Sequence, residues 1–340
     1  MSLICPQCGK VYSLDWDRLA REGRSFVRCN ACSQIIALDS GKPPDEKEPD
    51  TAHPPPENSA SAPPILDHMR RNFKKLYPMP HVILKTRSLL ADPEVDLQAV
   101  STIIKTDQAL ASRILRVTNS AFFGLNSKVT TISHALALLG TRTVAKIIAI
   151  VSHSKMLKGP LQAYSLHSGH IWRHSLTVAV ASEMLASRAL GKNDEEAFLA
   201  GLLHDVGKIL LNPYLLEHWT AFQHMLQRPE ASLPHVESRL LGIDHAFAGS
   251  ELSSHWNLPD QITTAIRNHH TPLARTSNPL ARIVSVANTM ATGLNAATRE
   301  ASFEGVDAET LTSLGLTVDD LHKYAGQVIQ SVETLEEDTY

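Results

Sequence analysis

The sequence predicts a mainly α-helical protein that opens with a small β-rich module built on four cysteines. Three observations carry that prediction. All four cysteines fall in residues 1–38 as two Cys-x-x-Cys pairs, and the segment ends on the strand-like SQIIAL. Residues 39–64, DSGKPPDEKEPDTAHPPPENSASAPP, are rich in Pro, Ser and acids and hold almost nothing to bury, so they read as a disordered tether. From about residue 65, apolar residues recur at helical spacing over most of the chain. Of the 340 residues 43% are hydrophobic and 20% charged, enough for a packed core. The formal net charge of −3 leaves no basic footprint for general nucleic-acid binding. No run approaches the roughly 18 apolar residues of a membrane span, and MSLICPQCGK lacks a secretory pattern, so a cytoplasmic protein is expected.

Cys5-Pro-Gln-Cys8 and Cys29-Asn-Ala-Cys32 lie twenty residues apart. Each Cys-x-x-Cys turn presents two thiolates to one ion, and two such turns complete a tetrahedral four-sulfur site. A unit of 38 residues has little core of its own, so Zn²⁺ bound by Cys5, Cys8, Cys29 and Cys32 is the expected source of its folding energy. Four buried free thiols, or a redox pair without a surrounding βαβ unit, explain the spacing less well. The stretch resembles the short zinc ribbons at the N-termini of many bacterial regulatory proteins. Lys10, Arg18, Arg21, Arg24 and Arg28 face Asp15, Asp17 and Glu22 in the count; with −2 from the zinc-thiolate centre the unit is near neutral. That favours contact with a protein over contact with DNA.

In the remainder, Asp96 caps a helix through LQAVSTIIKT and Asp107 caps QALASRILRVTN. Asn119-Ser120 closes that helix and Gly124 turns the chain; Ser133 opens HALALLG, with Gly140 as its C-terminal cap. TVAKIIAIVSHSKML reads as a buried helix. Helices are expected near 167–190, from an Asn193 cap to Leu211, and near 213–227, 234–241, 245–256, 259–269 and 279–295. Trp172 and Trp256 read as core aromatics, His167 and His170 as an exposed stripe at a helix start, and the acidic end ETLEEDTY as frayed.

Chemistry concentrates in the histidines, of which there are 17. His204-Asp205 in GLLHDVGK sets an imidazole beside a carboxylate on a helix, as a divalent-metal site requires. His174 in IWRHSLTVA precedes it, and His245 in GIDHAFAG and the doublet His269-His270 in IRNHHTP follow. In that order the set resembles the HD superfamily, whose phosphohydrolases ligate metal through His…His-Asp…Asp. Upstream, YPMPHVILKTRSLLADPEV, IIKTDQALASRILRVTNSAFFG and ISHALALLGTRTV, followed by IWRHSLTVA, EEAFLAGLLHDVGK, DHAFAGSELSSHWNLP and IRNHHTP, stand in order and resemble an HDOD domain over about residues 72–273. HDOD domains are all-α relatives of the HD phosphohydrolases, found in bacterial signalling proteins and generally regulatory.

The resemblance implies a division into a ribbon (1–38), a linker (39–64), an HD-like helical domain (65–297) and a C-terminal helical extension with an acidic tail (298–340). It implies a possible divalent metal, Fe or Mn, held by His174, His204, Asp205, His245, His269, His270 and Asn288. If the site is active, His204, Asp205 and Lys208 are its catalytic group, Lys208 matching the lysine after the His-Asp of the HD-GYP branch. Two departures weigh against turnover. Asn288, in RIVSVANTM, stands where a ligand aspartate is expected, and TPLARTSNP replaces the DGxGYP loop. Two divalent cations would bring +4 against −1 from Asp205, so a mononuclear site is the better fit; Asp244 and Glu237 could add charge, but the sequence places neither. The expected function is a non-catalytic signalling module that binds protein partners, with the ribbon assisting docking. The alternative is a metal-dependent phosphohydrolase acting on a nucleotide or cyclic dinucleotide.

Overall fold

The computed structural model describes residues 2–4, 11–13, 26–28, 35–37, 64–76, 96–191, 195–228, 230–271, 276–295, 300–301, 303, 306 and 308–339. The chain divides into two units, Met1–Ala62 and Pro63–Tyr340. In the first, β1 (Ser2–Ile4) pairs antiparallel with β2 (Val11–Ser13), and β3 (Phe26–Arg28) with β4 (Ile35–Ala37). Cys5, Cys8, Cys29 and Cys32 lie outside the described residues, as do the tether up to residue 63 and the motif YPMPHVILKTRSLLADPEV.

The described residues of the second unit are mainly helical, with a two-residue strand pair, β5 (Leu294–Asn295) with β6 (Glu300–Ala301). It opens with α1 (Pro64–Leu76), α2 (Leu97–Lys105) and α3 (Gln108–Thr118). Asp96 accepts from the Gln98 N–H and Asp107 from the Leu110 N–H, so each carboxylate satisfies an amide that the first helical turn leaves open. Asn119 ends α3, and its side chain ties the Leu115 carbonyl to both backbone groups of Val129. Gly124 then turns the chain with φ of 57°.

Helix α4 (Ile132–Leu157) corrects one expectation and bears out another. Thr131, not Ser133, is its cap, accepting from the His134 N–H; the Ser133 hydroxyl instead lies 2.8 Å from that of Ser101 on α2. Gly140 ends the first of two helical segments within this span, as expected, with φ 78° and ψ 166° that only a residue without Cβ adopts at low cost. Among the described residues α4 alone is long and apolar enough to cross a membrane, over Ile132–Ser154 with a mean hydropathy of 1.6. Its Val144, Ile147 and Ile150 are fully buried in the core, and Lys146 pairs with Glu183 on the next helix.

The site is built by α5 (His170–Leu190), α6 (Glu195–Leu203), α7 (Val206–Glu217), α8 (Trp219–Leu226), α9 (Leu233–Leu241), α10 (His245–His255), α11 (Asp260–Asn268) and α12 (Pro279–Gly293). The expected single helix through His204-Asp205 is two helices, broken at that pair. The expected stop near Leu211 is absent, because α7 runs through Pro213 to Glu217. The Asn193 cap lies outside the described residues. Trp172 and Trp256 are core residues, and His167 precedes α5 rather than lying on it. Helix α13 (Ala308–Ser313) leads to α14 (Val318–Thr339), which packs on α5. The acidic end is therefore ordered helix through Thr339: Val328, Val332 and Leu335 form its buried seam, and Glu336 pairs with Arg173 at 2.7 Å.

Candidate metal centre

Close helix packing brings the histidines together. A Cβ on Gly207 would lie 1.9 Å from the His245 carbonyl oxygen, so α7 meets the start of α10 backbone to backbone. A Cβ on Gly201 would lie 2.8 Å from the Val178 carbonyl, so α6 meets α5 in the same way. These contacts bracket the break at His204-Asp205 and turn Asp205 inward. Asp205 holds the N-cap position of α7, yet its carboxylate makes no capping bond and faces the site instead.

Asp205 is fully buried and central. Its Oδ1 lies 3.4 Å from His245 Nε2 and 3.9 Å from His269 Nε2. Its Oδ2 accepts from Lys208 Nζ at 2.6 Å and lies 3.3 Å from His204 Nε2 and 3.6 Å from His174 Nε2. Two donor groups thus share one carboxylate: Asp205, His245, His269 and His270 on one side, and His174, His204 and Asp205 on the other, each within 4.8 Å.

Three imidazoles are held in one orientation. The Nδ1 atoms of His204, His269 and His245 lie 2.8 Å from the Gly201 carbonyl, 2.7 Å from the Ile266 carbonyl and 2.6 Å from Glu237 Oε2. Each Nδ1–H donates outward, which leaves a bare Nε2 facing Asp205, the tautomer a metal ligand needs. His204 Nε2, His269 Nε2 and Asp205 Oδ1 are buried and find no hydrogen-bond partner among the described residues. Orphan acceptors without a donor are costly; a cation in the first donor group satisfies Asp205 Oδ1 and His269 Nε2, while His204 Nε2 belongs to the second. The donor set therefore fits a divalent metal.

Electrostatics keeps the ligands in binding form. Burial, reinforced by neighbouring imidazoles, holds His269 well below the usual histidine range. Burial and His245 bring His270 down to about 3, and burial brings His174 to about 4 against the pull of Asp205. For Asp205, burial pushes upward, but His204 and Lys208 outweigh it and the carboxyl stays well below its ordinary value. At neutral pH these histidines are neutral and Asp205 is charged.

The two sides differ. His270 Nε2 lies 2.9 Å from His245 Nε2, so an exposed imidazole completes the otherwise buried cluster at Oδ1. On the Oδ2 side, His174 Nε2 is 2.9 Å from Asn288 Oδ1, and the His174 side chain is 27% exposed. All seven residues read from the sequence as possible ligands thus meet around Asp205, with Lys208 beside them. Sequence reasoning raised Glu237 as a possible charge without placing it, and missed Tyr164, whose hydroxyl donates to it. Asp244 stays out of the cluster, capping α10 through the Phe247 N–H. His167 and His170 are exposed and stack edge-on at 5.4 Å. Part of TPLARTSNP, residues 272–275, lies outside the described residues.

An all-helical domain centred on a buried His-Asp pair, with histidines converging from α5, α10 and the end of α11, defines the HD class of fold. Residues 76–272, more than half of the chain, match the HDOD domain model, and the chain belongs to the HDOD family. An uncharacterized protein of Treponema pallidum (strain Nichols) is 27% identical over 198 residues, covering 56% of this chain and 37% of its own length, so the chain spans little more than a third of that relative. Among solved structures, a candidate phosphohydrolase from Shewanella amazonensis SB2B superposes with a TM-score of 0.65 at 20% identity, covering 82% of this chain and 99% of its own. A candidate signal transduction protein from Marinobacter aquaeolei VT8 does so with a TM-score of 0.63 at 21% identity, over 79% of this chain and 60% of its own. At these identities the structural likeness establishes the fold.

Proposed function

We propose that this protein is a bacterial cytoplasmic signalling module whose HDOD domain binds one divalent cation, Fe or Mn, and acts on protein partners without turnover. The observation that carries the reading is the inequality of the two sides of Asp205. At Oδ1, two buried acceptors without a partner among the described residues, Oδ1 itself and His269 Nε2, await a cation. At Oδ2, Lys208 already supplies the positive charge, and His174 Nε2 is engaged by Asn288, an amide that brings no charge to balance a second cation. A hydrolytic site of this class uses two metals to stabilise attacking and leaving oxygens; here the second lacks its counter-charge. In the same reading the four cysteines hold Zn²⁺ in a ribbon that docks a partner.

The experiment is a phosphoester panel, including cyclic dinucleotides and nucleotides, with protein loaded with Mn²⁺ or Fe²⁺. The expected result is no hydrolysis, with capture of the cellular partner unaffected by Asp205→Ala. One observation favours the second reading, a metal-dependent phosphohydrolase: Asp205 is shared by two donor groups, as a bridging carboxylate would be. Metal-dependent turnover abolished by Asp205→Ala would establish that reading and end the first.

A further inference from the structure

We propose that Glu237 is the positioning residue of the metal centre: it fixes His245 as a ligand and supplies negative charge behind it on the Oδ1 side. The inference rests on the metal reading above and adds a residue to it. Glu237 lies on α9, fully buried. Its Oε2 accepts from the His245 backbone N–H at 2.8 Å and lies 2.6 Å from His245 Nδ1. Its Oε1 accepts from the Tyr164 hydroxyl at 2.7 Å.

These three contacts satisfy the carboxylate through hydrogen bonds, and none of them comes from a Lys or Arg. Burial, together with the charge of Glu237, raises the Tyr164 phenol well above its ordinary value, so Tyr164 remains a donor. A buried carboxylate without a cationic partner is expensive, and proteins keep one where a counter-charge or a function requires it. The charge count shows which. Asp205 is matched by Lys208 at 2.6 Å, which leaves Glu237 to offset a divalent cation on the far nitrogen of the His245 ring. A carboxylate behind a ligand histidine fixes its tautomer and raises its basicity. The arrangement also explains why α9 and α10 are joined by a tight turn at Gly242, φ 78°: it folds Glu237 back over His245, eight residues on.

A structural role alone, anchoring the start of α10 through the His245 N–H, predicts a different outcome for the isosteric variant. In Glu237→Gln the amide oxygen still accepts both His245 donors and the amide N–H₂ donates to Tyr164, so hydrogen bonding survives and only the charge is lost. The full chain is titrated with Mn²⁺, which prefers nitrogen and oxygen donors to thiolates. Binding in Glu237→Gln is expected to weaken by about 10- to 100-fold, with unchanged melting of the metal-free protein. Binding within twofold of wild type would overturn the proposal. A second measurement needs no variant: ¹⁵N chemical shifts of the metal-free wild type should place the His245 proton on Nδ1. A proton on Nε2 overturns the proposal by itself. If wild type binds no Mn²⁺ while His245 shows the expected tautomer, the metal reading fails, the charge role of Glu237 goes with it, and the hydrogen-bond geometry stands.

Discussion

The two sides of Asp205 use the same residue types to opposite ends. At Oδ1, His245 and His269 are packed away from water while His270 is exposed, and a second carboxylate stands behind His245. At Oδ2, the ammonium of Lys208 sits where a cation would, and His174 leans on an amide at the solvent edge. One carboxylate can thus be a ligand on one face and half of an ion pair on the other. The difference is one of charge supply rather than of imidazole number. It teaches that a histidine cluster cannot be judged for metal from its histidines alone.

The comparison breaks most completely at its shared atom. Asp205→Ala is expected to reduce the non-zinc divalent cation from about one per chain to none, as elemental analysis of wild type and variant would show. Retention of the cation would place it elsewhere. Next is the packing that holds the Oδ1 side together. Gly207→Ala drives a Cβ into the His245 carbonyl and should cost about 3 kcal/mol in urea unfolding, with loss of the cation as His245 moves off.

Acid tests both sides together. His174, His269 and His270 have folded-state values depressed below the unfolded value of about 6.5, so the unfolded chain binds protons first. Their contribution to stability is present above about pH 6.5 and is lost as pH falls toward the folded values of about 4 for His174 and about 3 for His270. The metal-free protein should lose roughly 1 kcal/mol per pH unit for each of His174 and His269, and less for exposed His270, through that window, measurable as a falling midpoint in thermal melts; a flat profile would contradict neutral imidazoles.

Two substitutions sharpen the Oδ2 side. Asn288→Asp restores a carboxylate beside His174 and should tighten binding of a second Mn²⁺ on the order of tenfold. No gain would mean that Lys208, rather than the missing charge, closes that side. Smallest of all, His174→Ala should change affinity for the first cation by less than about threefold, since His174 lies outside its donor set.

Much of this was legible in the chain. Asp96 and Asp107 cap where a short carboxylate precedes an apolar stripe, because capping is decided within three residues. The candidate ligands could be named in order because each sits in a local motif. Less visible were features set by contacts distant in sequence. Ser133 looked like a cap but bonds to Ser101, thirty-two residues away. ETLEEDTY looked frayed because its acids dominate the composition, while Leu335 and the Glu336–Arg173 pair hold it to α5. The break at His204-Asp205 left no Gly or Pro signal; it follows from turning Asp205 into the site.

By itself the sequence determined the helical class, the HDOD family and the identity of the histidines, since periodicity, caps and motif order are written in neighbouring residues. The tertiary structure alone decided that Asp205 faces two unequal donor groups, that Lys208 rather than a solvent ion answers one of its oxygens, and that Glu237 stands behind His245 while Asp244 does not. Charge balance in a buried site depends on which groups lie within a few ångströms, and that distance is set only when the helices pack.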